Sequence, residues 1–169
     1  MLRMFKVEPF MLIVERSSSM LRMSKDEAYL RMAEALAWRS TCLDKQVGCV
    51  ITNIKNEIIA TGYNGAPRGW THCIDTGICL AEKFQSKDFC PSAHAEQNAL
   101  MQCRVPEQIY TIYLTLSPCI NCIRIINNTP CVRIVFLHSH SNKRVKDMWK
   151  GEWIHYEFNR SISGHKKVS

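Results

Sequence analysis

Hydrophobic and polar positions along the chain follow a helical period first and a strand period next. Residues 24–41 carry apolar side chains at helical spacing, and their opening Ser-Lys-Asp-Glu has the spacing of a capping box with two acids in the first turn. The apolar runs 48–52 and 57–63 predict two strands around a turn at Lys55-Asn56. The first part of the chain therefore predicts a helix followed by a pair of strands.

Helices and strands alternate through the rest of the chain, after two loops. The loops are the Gly- and Pro-containing stretch 62–69 and a cysteine-bearing stretch from 72 to about 91. The elements predicted after them are a helix over 93–102, a strand over 109–116, a helix over 118–127, a strand over 132–137, a helix over 143–150 and a strand over 154–158. The order α-β-β-α-β-α-β-α-β predicts an α/β fold in which helices cover both faces of a layered sheet.

One domain accounts for most of the chain. With 169 residues, the chain is long enough to bury a core of its own. We expect this domain to cover 24–160, between an N-terminal appendage at 1–23 and a flexible tail at 161–169. The appendage is compatible with an extra strand followed by a Ser-Ser-Ser linker, and equally with upstream sequence ahead of a native start at Met20 or Met23.

Composition and charge narrow the class of protein. A hydrophobic content of 46% with 22% charged residues is typical of a globular protein, and no apolar run approaches the ~18 residues of a membrane span. The formal net charge of +7 suits anionic partners such as nucleotides or nucleic acid, although charge that serves only solubility fits as well. Nine cysteines with C-x-x-C spacing and no persuasive secretory signal favour metal binding over disulfides, and hence a reducing, cytoplasmic environment.

Two short stretches carry candidate chemistry: SAHAEQNAL at 92–100 and SPCINC at 117–122. Cys119 and Cys122 lie three residues apart at the start of a predicted helix, so they share one face, and the helix N-terminus favours the thiolate form that zinc binds. With His94 as a third ligand, one tetrahedral position stays open, which distinguishes a catalytic zinc site from a structural one.

Glu96 is the candidate proton carrier of this site. A step of two residues turns about 200° around a helix, so His94 and Glu96 converge only if His94 lies in the first turn, which is where Ser92 as N-cap would put it. Taken separately, the cysteines suit a redox pair or half of a structural zinc site, and the histidine suits an ordinary polar position. The combination of H-x-E with P-C-x-x-C, 25 residues apart and with a strand between them, is typical of zinc-dependent nucleobase deaminases.

Five stretches together resemble the deoxycytidylate (dCMP) deaminase family, within the cytidine deaminase-like fold. The resemblance covers about 24–137, and the segments GYNG-x-P and HC-x-D are the parts most specific to the dCMP branch. It implies a three-layer α/β/α sandwich with a central mixed sheet of about five strands. The stretches are RSTCLDKQVGCVI (39–51), GYNGAPRG (62–69), HCIDTGIC (72–79), SAHAEQNAL (92–100) and IYLTLSPCINC (112–122).

The resemblance implies hydrolytic deamination of dCMP to dUMP for thymidylate supply. It also implies a homo-hexamer activated by dCTP and inhibited by dTTP, with Mg²⁺ compatible with a triphosphate effector. Glu96 would protonate N3 of the cytosine and then pass a proton to the departing ammonia. The expected substrate contacts are the Ala95 backbone N–H and the Ser117 backbone carbonyl at the base, Asn64 at the sugar, and Arg39 and Ser40 at the phosphate. The expected effector loop is Gly62, Tyr63, Asn64 and Gly65.

One departure from the family concerns the residues after the strand at 132–137. Family members often carry a tyrosine there, near the substrate, whereas this chain has His138, Ser139, His140 and Ser141. Either His138 or His140 would then serve the phosphate, or the substrate preference differs and extends to dCTP.

A second, structural zinc is expected at the remaining loop cysteines. Their pattern resembles a site in some bacterial and phage dCMP deaminases, and four thiolates would close the tetrahedron. A metal would also order a long loop that has little regular structure of its own. Four independent thiols are the alternative, and Cys49, Cys103 and Cys131 are interpreted as core or neutral positions. The expected ligands are Cys42, Cys73, Cys79 and Cys90, with His72 as a substitute for one of them.

Two other functions stay open at this point. A polynucleotide deaminase acting on cytidine or adenosine would use the positive charge and the four tryptophans for a stacking groove. The lysines and arginines are scattered, however, so we expect a nucleotide substrate, with neither a polynucleotide nor a membrane as partner. A non-catalytic zinc module is the other alternative, and the presence of Glu96 argues against it.

Overall fold

A computed structural model describes residues 23–83, 85, 90–141 and 143–158. The predicted appendage, apart from Met23, and the predicted tail lie outside the described residues. No helix in the described ranges is long and apolar enough to cross a bilayer.

A five-stranded mixed sheet forms the centre of the molecule, in the spatial order β2-β1-β3-β4-β5. Strand β1 pairs antiparallel with both β2 and β3, whereas β3–β4 and β4–β5 are parallel pairs. All five predicted strands are present, and the last one begins two residues earlier than expected. The strands are β1 (Gly48–Thr52), β2 (Ile58–Tyr63), β3 (Thr111–Leu116), β4 (Arg133–His138) and β5 (Glu152–His155).

Helices cover both faces of the sheet. Three of them match predicted helices: α1 (Lys25–Ala37), α4 (Ala95–Gln102) and α5 (Ile120–Ile126). The predicted loop after residue 71 contains two single-turn helices, α2 (Cys73–Thr76) and α3 (Leu80–Lys83), and the predicted helix at 143–150 is a 3₁₀ helix over Lys143–Met148. A further 3₁₀ turn covers Pro106–Gln108.

Alternation along the strands separates two apolar layers. Val50 of β1 faces α1, together with Tyr113 and Val135 of the neighbouring strands. Residues one position away, such as Ile51 and Ile112, belong to the larger core, which also contains buried residues of α4 and α5. Because successive strand residues point to opposite faces, one sheet supplies both layers. The predicted three-layer α/β/α sandwich is confirmed.

The start of α1 is joined to the middle of the sheet by polar contacts. Ser24 caps the helix, since its Oγ accepts a hydrogen bond from the Glu27 N–H at 3.1 Å. Asp26, in the first turn, accepts a hydrogen bond from the Tyr113 hydroxyl at 2.8 Å and forms a salt bridge of 3.0 Å with Arg133. These contacts fix α1 against β3 and β4.

Helix α4 begins later than predicted, and the expectation that Ser92 is its N-cap is wrong. His94 is the N-cap, with φ −75° and ψ 158°. Ala93 and Gly65 exchange backbone hydrogen bonds of 3.0 and 3.1 Å, which hold residue 93 in an extended conformation, so the helix cannot start before it. The Gln97 side chain accepts a hydrogen bond from the His94 N–H at 2.8 Å and completes the helix start.

Candidate active site

Two helix N-termini bring the histidine and the cysteines of the predicted site together. His94 is the N-cap of α4 and Cys119 is the N-cap of α5, with Cys122 in the first turn of the same helix. His94 Nδ1 lies 3.5 Å from Cys119 Sγ and 3.4 Å from Cys122 Sγ. Strand β3 runs between the two segments and carries the chain from one helix to the other.

These three side chains fit a tetrahedral zinc ion. Zn–N and Zn–S bonds of about 2.0 and 2.3 Å at tetrahedral angles would separate the nitrogen and sulfur ligands by about 3.6 Å. The observed separations are close to that value. Within the described ranges, this is the only group of three or more His, Cys, Asp or Glu side chains whose ligand atoms all lie within 4.8 Å of one another.

The two thiols have different acidities because they share a hydrogen bond. The Cys122 thiol donates to Cys119, which lowers the pKa of Cys119 to about 3, and the hydrogen bond with His94 acts in the same direction. The same bond to Cys119, together with burial, raises the pKa of Cys122. Hydrogen bonding to the Cys119 thiolate raises the pKa of His94. These hydrogen bonds favour the thiolate form of Cys119, which is the form that binds zinc.

Glu96 lies next to this group and is almost fully buried, with 4% of its surface exposed. Burial raises the pKa of its carboxyl group, while hydrogen bonds with its own backbone N–H and with Cys122 partly offset that rise. A carboxyl group with a raised pKa exchanges a proton more readily near neutral pH than an exposed one does. Glu96 is thus positioned as an acid–base group rather than as a fourth ligand.

A cavity of about 550 Å³ opens onto His94, Glu96 and Cys119. Its wall includes Ala95 and Ser117, the two residues expected to hold the base. Ser117 is fixed there by two hydrogen bonds, since its backbone N–H donates to the His138 carbonyl at 2.8 Å and its Oγ accepts from the His140 N–H at 2.8 Å. The cavity is large enough for a small-molecule ligand.

Arg39 and Ser40, which were expected at the phosphate, do not line this cavity. Arg39 is absent from its described wall, and Ser40 is 2% exposed and accepts a hydrogen bond from the Cys42 N–H. His138 lines a neighbouring cavity, whereas His140 lines the main one.

Asn64 lines the cavity, but its amide serves the protein backbone. Its Nδ2 donates to the Lys45 carbonyl at 2.7 Å, and its Oδ1 accepts from the Val47 N–H at 2.8 Å. Asn64 therefore clamps the segment 45–47 against the cavity. Lys45, which lies in the cavity wall, was not singled out from the sequence. The one feature that could have indicated it is its position three residues before Gly48, the first residue of β1.

The cysteines expected at a second zinc lie in one region of the molecule. Cys42, Cys79 and Cys90 all line the main cavity, and Cys73 is buried at the start of α2. They do not form a second group within 4.8 Å among the described residues. His72 Nδ1 is buried and has no hydrogen-bond partner in the described part of the chain, which leaves it free to act as a ligand.

Comparison with known proteins identifies the family. Residues 23–138 match the family described as "Cytidine and deoxycytidylate deaminase zinc-binding region", which is more than half of the chain. The chain belongs to this family.

Curated relatives are identical to the chain at about a third or more of the aligned positions. The deoxycytidylate deaminase of Saccharomyces cerevisiae is 34% identical over 131 residues, which cover 75% of this chain and 41% of the yeast protein. The deoxycytidylate deaminase of Mycobacterium phage D29 is 34% identical over 125 residues, covering 69% of this chain and 97% of the phage protein. ComE operon protein 2 of Bacillus subtilis is 39% identical over 111 residues, covering 63% of this chain and 56% of that protein. The chain thus spans about half the length or less of the yeast and Bacillus relatives, and nearly all of the phage one.

A solved structure of the same fold contains nucleotides. The dCMP deaminase of cyanophage S-TIM5, in complex with dCMP and dUMP, superposes with a TM-score of 0.59 at 27% identity, covering 72% of this chain and 87% of that one.

Proposed function

We propose that this protein hydrolyses dCMP to dUMP and ammonia. The observation that carries the proposal is the His94–Cys119–Cys122 group with Glu96 buried beside it, next to a cavity of about 550 Å³. Family membership and relatives named deoxycytidylate deaminase support dCMP as the substrate. The S-TIM5 enzyme, which binds dCMP and dUMP, supports the same substrate and product.

Zinc fits the three ligands. When bound, it would lower the pKa of a water molecule, so that the water loses a proton readily and becomes a nucleophile for C4 of the cytosine ring. His94, Cys119 and Cys122 would hold the ion. A neutral imidazole and two thiolates give a site without net charge, because the two thiolates balance the +2 ion. The protein's own part in the reaction then falls to Glu96 and the cavity wall.

Glu96 would move the protons. Its carboxylate would take a proton from the attacking water and deliver it to N3 of the ring. It would then move the remaining proton of the hydroxyl group added at C4 to the exocyclic nitrogen, so that the C4–N bond breaks, ammonia leaves and the C4 carbonyl forms. Burial favours this cycle, since desolvation raises the pKa of the carboxyl group and so makes it a better proton acceptor from the water. The Ala95 N–H and the Ser117 carbonyl would hold the edge of the base from the wall in which both residues lie.

Further properties are proposed from the resemblance to dCMP deaminases. They are activation by dCTP and inhibition by dTTP through the loop Gly62, Tyr63, Asn64 and Gly65, with Mg²⁺ accompanying a triphosphate, and assembly into a hexamer. A second zinc at Cys42, Cys73, Cys79, Cys90 or His72 belongs to the same proposal. All nine cysteines are free thiols, which supports a reducing, cytoplasmic location.

Ammonia release from a panel of substrates tests the proposed activity. The panel is dCMP, deoxycytidine, dCTP and a single-stranded oligonucleotide, each with and without dCTP or dTTP as effector. We expect fast release from dCMP, with dTTP suppressing it. Release from dCTP at a similar rate would instead identify a dual enzyme, and release from the oligonucleotide alone would overturn the nucleotide assignment.

A further inference from the structure

The described wall of the main cavity is acidic except at one point. Asp44, Glu82 and Glu96 contribute carboxyl groups, and Lys45 is the only lysine or arginine among the described residues that line it. A nucleotide monophosphate carries up to two negative charges on its phosphate near neutral pH. Such a group is repelled by most of this wall, so it needs a cation at the place where it lies.

The backbone of Lys45 is fixed although its side chain is exposed. The Asn64 side chain holds the Lys45 carbonyl at 2.7 Å and the Val47 N–H at 2.8 Å, and Asn64 itself is 7% exposed. These two hydrogen bonds fix the backbone of residues 45–47 where it runs along the cavity, just before β1. The ammonium group is therefore attached to a rigid part of the wall, with only its flexible stem left to adapt.

The ammonium of Lys45 is available for a ligand. In the described part of the chain it has no salt bridge within 4.0 Å. It lies close enough to His94 to lower the pKa of that imidazole, although other effects on His94 are larger. Lys45 also lines the neighbouring cavity with Trp38 and His138, so it stands at the ridge between the two openings.

We propose that Lys45 binds the 5′-phosphate of the nucleotide and makes the enzyme select a monophosphate over the nucleoside. The proposal rests on the proposed function, because it takes the base to lie at His94 and Glu96. With the base there, the phosphate is at the opposite end of the ligand, and Lys45 is the only lysine or arginine among the described residues of the wall. Of the residues expected at the phosphate from the sequence, Arg39, Ser40 and His138 are absent from that wall and His140 is part of it.

The test compares the Lys45→Met variant with the wild type on dCMP and on deoxycytidine. Loss of a charged hydrogen bond to the phosphate should lower the ratio of kcat/KM for dCMP to kcat/KM for deoxycytidine by about 10- to 100-fold, mainly through KM for dCMP. Lys45→Arg keeps the charge and should restore most of the ratio. Lys55→Met removes an exposed lysine in the β1–β2 turn, outside the cavity, and controls for the loss of one positive charge.

Two results would overturn the proposal. An equal fall of kcat/KM for both substrates would mean that Lys45 acts on His94 and the metal rather than on the phosphate. Unchanged kcat/KM for both substrates would mean that the phosphate lies elsewhere.

A binding measurement separates this inference from the proposed activity. Calorimetric titration of dUMP and of deoxyuridine into the wild type and Lys45→Met should show weaker binding of dUMP alone in the variant. If the wild type releases no ammonia from dCMP or deoxycytidine, the proposed reaction fails, and the titration still decides whether Lys45 recognises a nucleotide phosphate. Equal affinity of both proteins for dUMP would then reject the role of Lys45.

Discussion

Glu96 owes its chemistry to its place at the start of α4. The second residue of the helix points back across the helix end, towards the thiol of Cys122, and away from solvent. An exposed glutamate would be ionised at neutral pH and would hold protons too weakly to deliver them to a ring nitrogen. Burial raises the pKa of the Glu96 carboxyl group, and the neighbouring His94 limits this rise by favouring the charged form.

Replacing Glu96 tests whether the carboxyl group carries protons or only fills space. We expect Glu96→Gln to lower turnover of dCMP by about 10² or more, since the amide keeps the shape but cannot exchange the proton. Zinc content and melting temperature should stay close to those of the wild type, because Glu96 is not one of the three ligands. Metal analysis and thermal unfolding are the controls, and turnover at the wild-type rate would reject the proposed mechanism.

Single residues differ in how far the sequence alone predicts their place. The grouping of His94 with Cys119 and Cys122 follows from local patterns, since each stretch begins a helix and the strand between them fixes the crossing. The backbone position of Lys45 depends instead on a hydrogen bond from Asn64, 19 residues further along the chain. A hydrophobic period along the sequence does not predict such a contact, so the place of Lys45 in the cavity wall is known only from the structure.

At the level of elements, the position of α4 depends on its close approach to β2. A Cβ atom built on Gly62 would lie 2.4 Å from the Ala95 carbonyl oxygen and 2.5 Å from the Ala99 backbone nitrogen. Asn98 adds a hydrogen bond of 2.7 Å from its Nδ2 to the Tyr63 carbonyl. Helix α4 therefore rests directly on the backbone of β2, and the proposed effector loop begins at this same contact.

The Gly62→Ala substitution tests this contact. The added methyl group meets backbone atoms that cannot rotate away, so we expect a loss of about 1–3 kcal/mol in the free energy of unfolding. The shift of α4 should also displace His94 and Glu96 and lower kcat for dCMP. The cobalt-substituted protein should show an altered visible absorption spectrum, which reports on the geometry of the metal ligands.

Gly69→Ala is the matched control for Gly62→Ala. At Gly69 nothing lies within 4 Å of an added Cβ, and the strain comes from its φ of +85°. This variant should lose stability without a change in the cobalt spectrum. If both variants altered the spectrum equally, contact between α4 and β2 would not be what positions the site.

Elements with a strong period were predicted well, and their ends were not. Strands β1, β3 and β4 are largely apolar runs of five or six residues rich in β-branched side chains, and these patterns locate them. The start of α4 was wrong because the Gly65–Ala93 bridge is a long-range contact that overrides the N-cap preference of Ser92. The segment 143–148 is a 3₁₀ helix, and propensity alone does not separate this from a short α-helix.

Across the whole molecule, segments far apart in sequence meet at the main cavity. Cys42 follows α1, Cys79 precedes α3, and Cys90 precedes α4, yet all three line the wall of this cavity. A hydrogen bond of 3.2 Å from the Ile74 N–H to the Thr41 carbonyl joins the first of these segments to α2. The three layers of the fold follow from the order of the elements, but this convergence of loops does not, because loops have no period from which to predict it.

A second zinc ion at this convergence would hold the loops that carry these cysteines together beside the candidate active site. We expect the wild type to bind about two zinc ions per chain and Cys79→Ser to bind about one, because one lost thiolate opens a closed tetrahedral site. The variant should also melt at a lower temperature and bind dCMP more weakly, since the loop that carries Cys79 forms part of the cavity wall.

Cys103→Ser is the matched control for this experiment, since Cys103 lies at the end of α4 and outside the cavity wall. It should keep both zinc ions, as measured by atomic emission on protein purified without added metal. One zinc per chain in the wild type, or two in Cys79→Ser, would reject the second site. In that case the burial of Cys73 in α2 and of Cys79 just before α3 would be what orders this loop. The buried His72 Nδ1 would then have no metal to bind.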